Sequence, residues 1–153
     1  MPVRDCMSKN PITIHAQDDY ISACKIMEYH AIRHLPVLDD HEHLVGIVAN
    51  QDIQVAANRY LQCAVEVDEI MHRDVITATP DMPLDEAALL MAKHHIGALP
   101  VVNGRDTVVG IITKSDVFRV IHERITSSPD RRPFPALAPW SAVEKRSGER
   151  RLG

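Results

Sequence analysis

Apolar residues recur along the chain in two patterns, one typical of short strands and the other of amphipathic helices. In the second half, a helical turn at 67–71 precedes a short apolar run at 75–78 that predicts a strand. Asp81 and Pro83 then mark the start of a helix, and Gly97 suits its C-terminal cap. The buried face of this helix is predicted from apolar residues at helical spacing: Leu84, Ala87, Ala88 and Met91.

Two further apolar runs predict a β-hairpin followed by a second helix. The runs at 99–102 and 107–112 flank Asn103-Gly104-Arg105-Asp106, in which the Asn-Gly pair is favoured in hairpin turns, and the helix begins near Lys114. The first half repeats this order, with apolar runs at 35–38 and 44–48, a turn at 39–43 and a helix from Gln51 towards Leu61.

The order recurs because the chain contains an internal repeat. A shift of 64 residues aligns the chain with itself without a gap and gives 14 identities over the 51 positions from 3 to 53. We therefore expect one repeat at 1–62, a second at 63–126, and a mobile Pro/Arg-rich tail at 127–153. A single repeat, with three short strands and two helices, would bury too little surface to be robust. The prediction is an α+β fold whose two pseudo-symmetric repeats pack sheet to sheet around one shared core.

The junction between the last predicted strand and helix is the best candidate for chemistry. A helix start presents unpaired backbone N–H groups and the positive end of the helix dipole, which suits an anion. Gly110 lets a ligand approach the backbone, Thr113 and Lys114 can contact a phosphate, and Asp116 can accept hydrogen bonds from a ribose. The residues alone leave a structural alternative open, in which Thr113 caps the helix and Asp116 completes a capping box.

The repeat and three linked motifs resemble a pair of cystathionine-β-synthase (CBS) domains, also called a Bateman module. The motifs are Leu35-Pro36-Val37, Leu99-Pro100-Val101 and the run 110–116, and the resemblance covers residues 3–125. The run 32–37 also resembles the two-CBS proteins known as acetoin-utilisation accessory proteins. The resemblance implies a regulatory module that is a homodimer, binds AMP, ADP or ATP between its repeats and signals to a protein target. S-adenosylmethionine or NAD is the alternative ligand on the same fold.

The family pattern also implies which residues bind the ligand. Asp116 would hold the ribose and Thr113 the α-phosphate, while Arg33 and His34 would reach phosphates of a ligand held mainly by another repeat. The residues implied for the main pocket are Thr77, Ala78, Gly97, Ala98, Leu99, Pro100, Gly110, Thr113, Lys114, Ser115, Asp116, Arg33 and His34.

A second pocket is expected to be weaker, because Ala49 stands where the first has the hydroxyl of Thr113. Its residues are Thr13, Ile14, Leu35, Pro36 and Asp52.

Composition narrows the function classes. The net charge of −4 and the lack of a basic stripe argue against nucleic acid, and the apolar runs are too short to span a membrane. The cysteines Cys6, Cys24 and Cys63 form no CxxC pair, which favours reduced thiols and a cytoplasmic protein. No hydrolase, metalloprotease or P-loop motif is present, so we expect neither an enzyme nor a bound cofactor.

Two other function classes stay open. The nine histidines, including His30 with His34 and His94 with His95, would allow a metal-responsive protein, although no cysteine pair supports a zinc site. The other class is a purely structural dimerisation unit with vestigial pockets.

Overall fold

Two three-stranded sheets and four α-helices are formed by residues 1–59 and 65–127, which the computed structural model describes. This confirms the predicted α+β class. The end of the predicted second helix at Leu61, Cys63 and the tail beyond Ser127 lie outside the described residues. The strands are β1 (Ser8–Lys9), β2 (Ile14–His15), β3 (His34–Leu38), β4 (Leu44–Ala49), β5 (Ala98–Val102) and β6 (Val108–Thr113), and the helices are α1 (Tyr20–His30), α2 (Asn50–Arg59), α3 (Leu84–His94) and α4 (Lys114–Ser127).

The helices α1 and α3 are repeat equivalents and end in the same way, and the end of α3 differs from the sequence prediction. Each packs its alanine and methionine face into a core, as predicted for α3. However, the left-handed residue that ends α3 is His95, with φ 55°, and the equivalent residue after α1 is Ala31, with φ 54°. The prediction of a Gly97 cap is therefore wrong, because the chain leaves the helix two residues earlier.

The predicted hairpin is formed by β5 and β6, and its loop, 103–107, is one residue longer than predicted. The Asn103 side-chain oxygen accepts hydrogen bonds from the backbone N–H groups of Arg105 at 3.1 Å and Thr107 at 3.2 Å. Asp106, not Gly104, adopts the left-handed conformation, with φ 56°. Asn103 thus closes a five-residue loop as an Asx turn.

The N-terminal segment of the first repeat packs on the second repeat. The short strand β1 pairs antiparallel with β6, with Ser8 opposite Ile111. Ahead of β1, the N–H of Val3 donates to the carbonyl of Met82 at 2.8 Å. Val3 is fully buried there in the same hydrophobic cluster as Leu99. The first residues of the chain therefore complete the core of the other repeat.

The equivalent segment of the second repeat crosses in the opposite direction. Val67 and Met71 are buried in the cluster that contains Leu35, and the Val67 N–H donates to the carbonyl of Asp18 at 2.8 Å. Instead of the single shared core that we predicted, the described residues thus form two clusters, each completed by a segment of the other repeat. The predicted strand at 75–78 is reduced to one paired residue, Ala78, which bridges to β5.

None of the helices in residues 1–59 and 65–127 is both long enough and apolar enough to cross a bilayer.

The crossing segment beside Gly110 leaves no room for a side chain at this position. A Cβ at this position would lie 2.5 Å from the Sδ atom of Met7 and 2.9 Å from the carbonyl oxygen of Ser8, closer than real contacts allow. We expect Gly110→Ala to lower the free energy of unfolding by about 1–3 kcal/mol, because β1 must shift away from β6. Gly104→Ala is the matched control, since its Cβ would meet no atom within 4 Å. Equal urea unfolding curves for the two variants would contradict this packing.

Candidate functional site

A cavity of about 680 Å³ opens at the junction of β6 and α4, and we call it the first cavity. Its size is within the usual range of small-molecule sites. The opposite wall comes from the first repeat, from the segment after β1 and the turn between α1 and β3. The residues that line it are Ser8, Lys9, Asn10, Pro11, Ile12, Ala31, Ile32, Arg33, His34, Gly97, Ile111, Thr113, Lys114, Ser115 and Asp116.

Thr113 and Asp116 form a capping box at the start of α4. The Oδ2 atom of Asp116 accepts hydrogen bonds from the backbone N–H of Thr113 at 2.9 Å and from its hydroxyl at 3.0 Å. In return, the Asp116 N–H donates to the Thr113 hydroxyl oxygen at 3.4 Å. The Oδ1 atom accepts from the Arg119 guanidinium at 2.9 Å. The structural alternative raised by the sequence is thus present in the folded protein.

This bonding limits what the two side chains can offer a ligand. A carboxylate has about four acceptor positions, so Asp116, with three bonds made, keeps about one for a ribose hydroxyl. The Thr113 hydroxyl has a single proton, which it already donates to Asp116. A phosphate could therefore accept a hydrogen bond from Thr113 only after this hydroxyl has rotated.

Positive charge gathers around the first cavity. Lys9, Arg33 and Lys114 line it, and Asp116 is the single carboxylate among its described lining residues. Half-buried His34 lies in the same wall. Burial lowers the pKa of its imidazole, the Asp52 carboxylate opposes this effect, and the cations Arg33 and Lys114 lower the pKa further. An anionic group of a ligand is the natural counterpart of such a wall.

A second cavity, of about 390 Å³, lies at the equivalent junction of β4 and α2. The Oδ2 atom of Asp52 accepts a hydrogen bond from the Ala49 N–H at 2.8 Å, and its Oδ1 atom lies 3.0 Å from the Nε2 atom of His72. Only half of the capping box exists here, because Ala49 has no hydroxyl. The residues that line it are His34, Ile47, Ala49, Gln51, Asp52, His72, Asp74, Val75, Ile76, His95, Ile96, Gly97 and Ala98.

Part of the predicted main pocket lies elsewhere in the structure. Ala78, Leu99 and Pro100 are buried, and neither they nor Thr77 line the first cavity. Two of these implied pocket residues pair with each other through their backbones instead, since the Ala78 N–H donates to the Pro100 carbonyl at 2.9 Å. Gly110 faces Met7, and Ala98 lines the second cavity.

The predicted second pocket is displaced in the same way. Asp52 lines the second cavity, but Thr13 lines neither cavity, and Ile14, Leu35 and Pro36 are buried. Ile14 pairs with Val37 in the sheet. A ligand contact at these positions has no support from the geometry.

The sequence reading missed the segment that crosses between repeats. Asn10, Pro11 and Ile12 line the first cavity with Asp116, whereas Asp74, Val75 and Ile76 line the second with Asp52. Each carboxylate is thus paired with the extended segment of the other repeat. The sequence feature that could have indicated this crossing is the equivalent pair of glycines, Gly46 and Gly110. Because neither has a Cβ, each leaves room for a crossing methionine, Met71 or Met7.

The histidines raised a metal site as an alternative. Within the described residues, no group of three or more His, Cys, Asp or Glu side chains is placed to hold a metal ion.

The fold is a tandem repeat with a cavity at each strand–helix junction, and comparison with known proteins gives the family. The model of the CBS domain family matches residues 3–58 and 67–123. The chain therefore belongs to the CBS domain family and carries two CBS domains in tandem. This confirms the resemblance noted in the sequence, and such a fold is generally regulatory rather than catalytic.

The relatives fall into two groups, long enzymes and separate CBS pairs. The L-aspartate semialdehyde sulfurtransferase of Methanocaldococcus jannaschii is 43% identical over 118 residues, which is 77% of this chain and 23% of that protein. The curated relatives that we compared are all much longer, and the chain spans 21 to 24% of their length.

Two solved structures are similar over almost their full length. A CBS-domain pair in complex with 5′-methylthioadenosine and S-adenosyl-L-methionine has 41% identity and a TM-score of 0.75, over 81% of this chain and 98% of that chain. A Vibrio cholerae protein named for acetoin utilization has 37% identity and a TM-score of 0.76, over 82% of this chain and 95% of that one.

Substitutions at the complete and at the half capping box should change the free energy of unfolding in opposite directions. Thr113→Ala should lower the free energy of unfolding by about 0.5–2 kcal/mol, because the Asp116 N–H loses its partner and one bond to the carboxylate is lost. Ala49→Thr should raise it by a similar or smaller amount, since it supplies the missing hydroxyl beside Asp52. Urea unfolding measures both. If Ala49→Thr were as destabilising as Thr113→Ala, the two junctions would not be equivalent.

His34 predicts a pH dependence of stability. Because the folded-state pKa is lowered from 6.5, the unfolded chain takes up the proton first as the pH falls. The contribution of His34 to the free energy of unfolding is fully present above this ordinary pKa and is lost as the pH falls below it. Between about pH 7.5 and about pH 5.5, His34→Gln should therefore lose less unfolding free energy than the unsubstituted protein. The control is His41→Gln, in the exposed turn before β4, and identical losses for both variants would contradict the assignment.

Proposed function

We propose that the chain is a regulatory module that binds a phosphorylated adenosine, AMP, ADP or ATP, in the first cavity. The observation that supports this most is the charge of the wall, in which Lys9, Arg33 and Lys114 surround the start of α4. A helix start and nearby cations both favour a phosphate group. The remaining acceptor position of Asp116 suits a ribose hydroxyl at the far side of the same ligand.

The two repeats would act on this ligand together. Arg33 and His34 come from the first repeat, whereas Thr113, Lys114 and Asp116 come from the second. A ligand that contacts both sets would favour one relative position of the repeats over others. Its effect on the equilibrium cannot exceed the difference between its affinities for the two states.

The solved relative that was crystallised with 5′-methylthioadenosine and S-adenosyl-L-methionine supports an adenosine-type ligand. Both of its ligands are adenosine derivatives, which is also the class that the proposal requires. They carry no phosphate, so a sulfonium or thioether nucleoside is the second candidate ligand for this module.

A homodimer is part of the proposal. Three large apolar side chains on different helices are exposed, Tyr29 at 86%, Leu89 at 67% and Phe118 at 64%. Aromatic side chains are enriched in protein–protein interfaces, which favours Tyr29 and Phe118 as interface residues. A second copy of the chain is the expected partner, and a regulated protein target is a further one.

The proposal predicts which substitution weakens nucleotide binding. Lys114→Asn introduces the residue that stands at the equivalent position in the first repeat, Asn50. We expect it to weaken AMP binding about five- to thirtyfold, because one charge next to the phosphate is lost. Lys25→Asn, at an exposed position of α1, is the matched control and should bind AMP normally. Calorimetric titration with AMP, ADP, ATP, NAD and S-adenosylmethionine would rank the ligands.

Two outcomes would contradict the proposed function. One is that no adenosine phosphate binds the unsubstituted protein, and the other is that Lys114→Asn binds AMP with unchanged affinity. Asp116 is a poorer test, because its removal also breaks the capping box.

A further inference from the structure

Arg119 lies on α4, one turn after Asp116 and outside the wall of the first cavity. It is not one of the residues that line this cavity, and its side chain is 58% exposed. The Nη2 group of its guanidinium donates to the Oδ1 atom of Asp116 at 2.9 Å and to the backbone carbonyl of Cys6 at 3.4 Å. Arg119 therefore joins the carboxylate of the first cavity to the segment that crosses from the other repeat.

The crossing segment beyond Cys6 supplies one wall of the first cavity. Cys6 is buried, β1 follows it, and residues 8–12 line the cavity. The bond from Arg119 to the Cys6 carbonyl thus connects the start of this wall to the wall that contains Asp116. A guanidinium is planar and presents its N–H donors in a fixed fork, so it holds two acceptors at once in one orientation.

The equivalent carboxylate, Asp52, is also linked to a crossing segment, but by a different residue. Val55 stands at the position equivalent to Arg119, and its side chain has no hydrogen-bond donor. The Oδ1 atom of Asp52 instead lies 3.0 Å from the Nε2 atom of His72, which directly follows the crossing residue Met71. Both junctions therefore keep a link from Oδ1 to the crossing segment, although the linking residues are not equivalent in the repeat.

Without a nearby cation, Asp116 would oppose a phosphate. Its carboxylate is the single negative side chain among the described lining residues of the first cavity, and it is 8% exposed, so water screens its charge poorly. A guanidinium at 2.9 Å offsets this charge from outside the wall. The positive charges of Lys9, Arg33 and Lys114 then face a ligand without an opposing carboxylate charge.

We propose that Arg119 is a positioning residue of the first cavity, and that it allows this cavity to accept a phosphate. It acts through Asp116 in two ways. Its charge offsets the carboxylate, and its bond to the Cys6 carbonyl fixes the carboxylate relative to the crossing segment. The inference rests on the proposed function, because it takes AMP as the ligand of this cavity. It adds a residue that determines specificity without lining the site.

Charge removal at Arg119 is the first test. Arg119→Gln keeps a side chain that can donate hydrogen bonds, and calorimetric titration compares AMP with adenosine. We expect AMP binding to weaken about five- to twentyfold and adenosine binding less than about twofold, because adenosine has no phosphate for Asp116 to repel. Arg119→Lys keeps a positive charge and should bind AMP within about threefold of the unsubstituted protein.

A second substitution tests whether Arg119 acts through Asp116. Asp116→Asn, combined with Arg119→Gln, removes the charge that the guanidinium offsets. The double variant should regain the preference for AMP over adenosine that Arg119→Gln alone loses, even where both ligands bind more weakly. A purely structural role of Arg119 predicts no such recovery.

Arg105→Gln is the matched control, because Arg105 is exposed in the loop between β5 and β6 and lines neither cavity. It should bind AMP and adenosine as the unsubstituted protein does. Urea unfolding of the same samples shows that each titrated variant is folded.

The outcomes separate this inference from the proposed function. AMP binding that depends on Lys114 but is unchanged in Arg119→Gln would overturn the inference alone. An equal loss of AMP and adenosine affinity in Arg119→Gln, or no recovery in the double variant, would also overturn it and leave the proposed function standing. If AMP does not bind the unsubstituted protein, the proposed function fails and the inference fails with it.

Discussion

The exchange of N-terminal segments between the repeats is the constraint on which the rest of the structure depends. Val3 and Val67 are equivalent residues, each fully buried in the core of the other repeat. Neither hydrophobic cluster is complete without its crossing segment, so one repeat alone would leave an apolar face open to water. The same crossing carries the chain past the opposite strand–helix junction. Both cavities therefore lie where the two repeats meet, and each is lined by residues of both repeats.

The two repeats share one backbone arrangement and differ in the side chains that line their cavities. The register of 64 residues preserves strands, helices and the glycines at which the methionines cross. Packing constrains those positions, because a new Cβ at Gly46 or Gly110 would collide with a sulfur atom. The cavity walls are less constrained, since Asp74 and Lys114 are exposed and can change charge without disturbing a core. The charge of the wall thus differs between the two cavities while the fold stays the same.

The sequence was sufficient to predict the repeat, the helices and the strand–helix junction, because these follow from local periodicity and capping. It also placed Arg33 and His34 opposite Thr113 and Asp116, through the family resemblance. It did not show which repeat each extended segment packs against. β1 has only two residues, and an apolar pattern identifies a buried face without identifying its partner. Thr77 and Ala78 were therefore assigned to Asp116, whereas the geometry brings Asn10 to Ile12 beside it.

Asp116 shows why local structure and ligand binding are difficult to separate at such a junction. Its carboxylate caps the start of α4 through Thr113 and accepts a hydrogen bond from Arg119, and Asp116 is the one buried charged residue among those the structure describes. A capping box exposes the helix start to the cavity in a fixed orientation, and this fixed orientation is what an anion requires. The stabilising bonds and the candidate site are thus two consequences of one arrangement. A substitution at Asp116 changes both at once, whereas the surrounding cations can be altered without removing the cap.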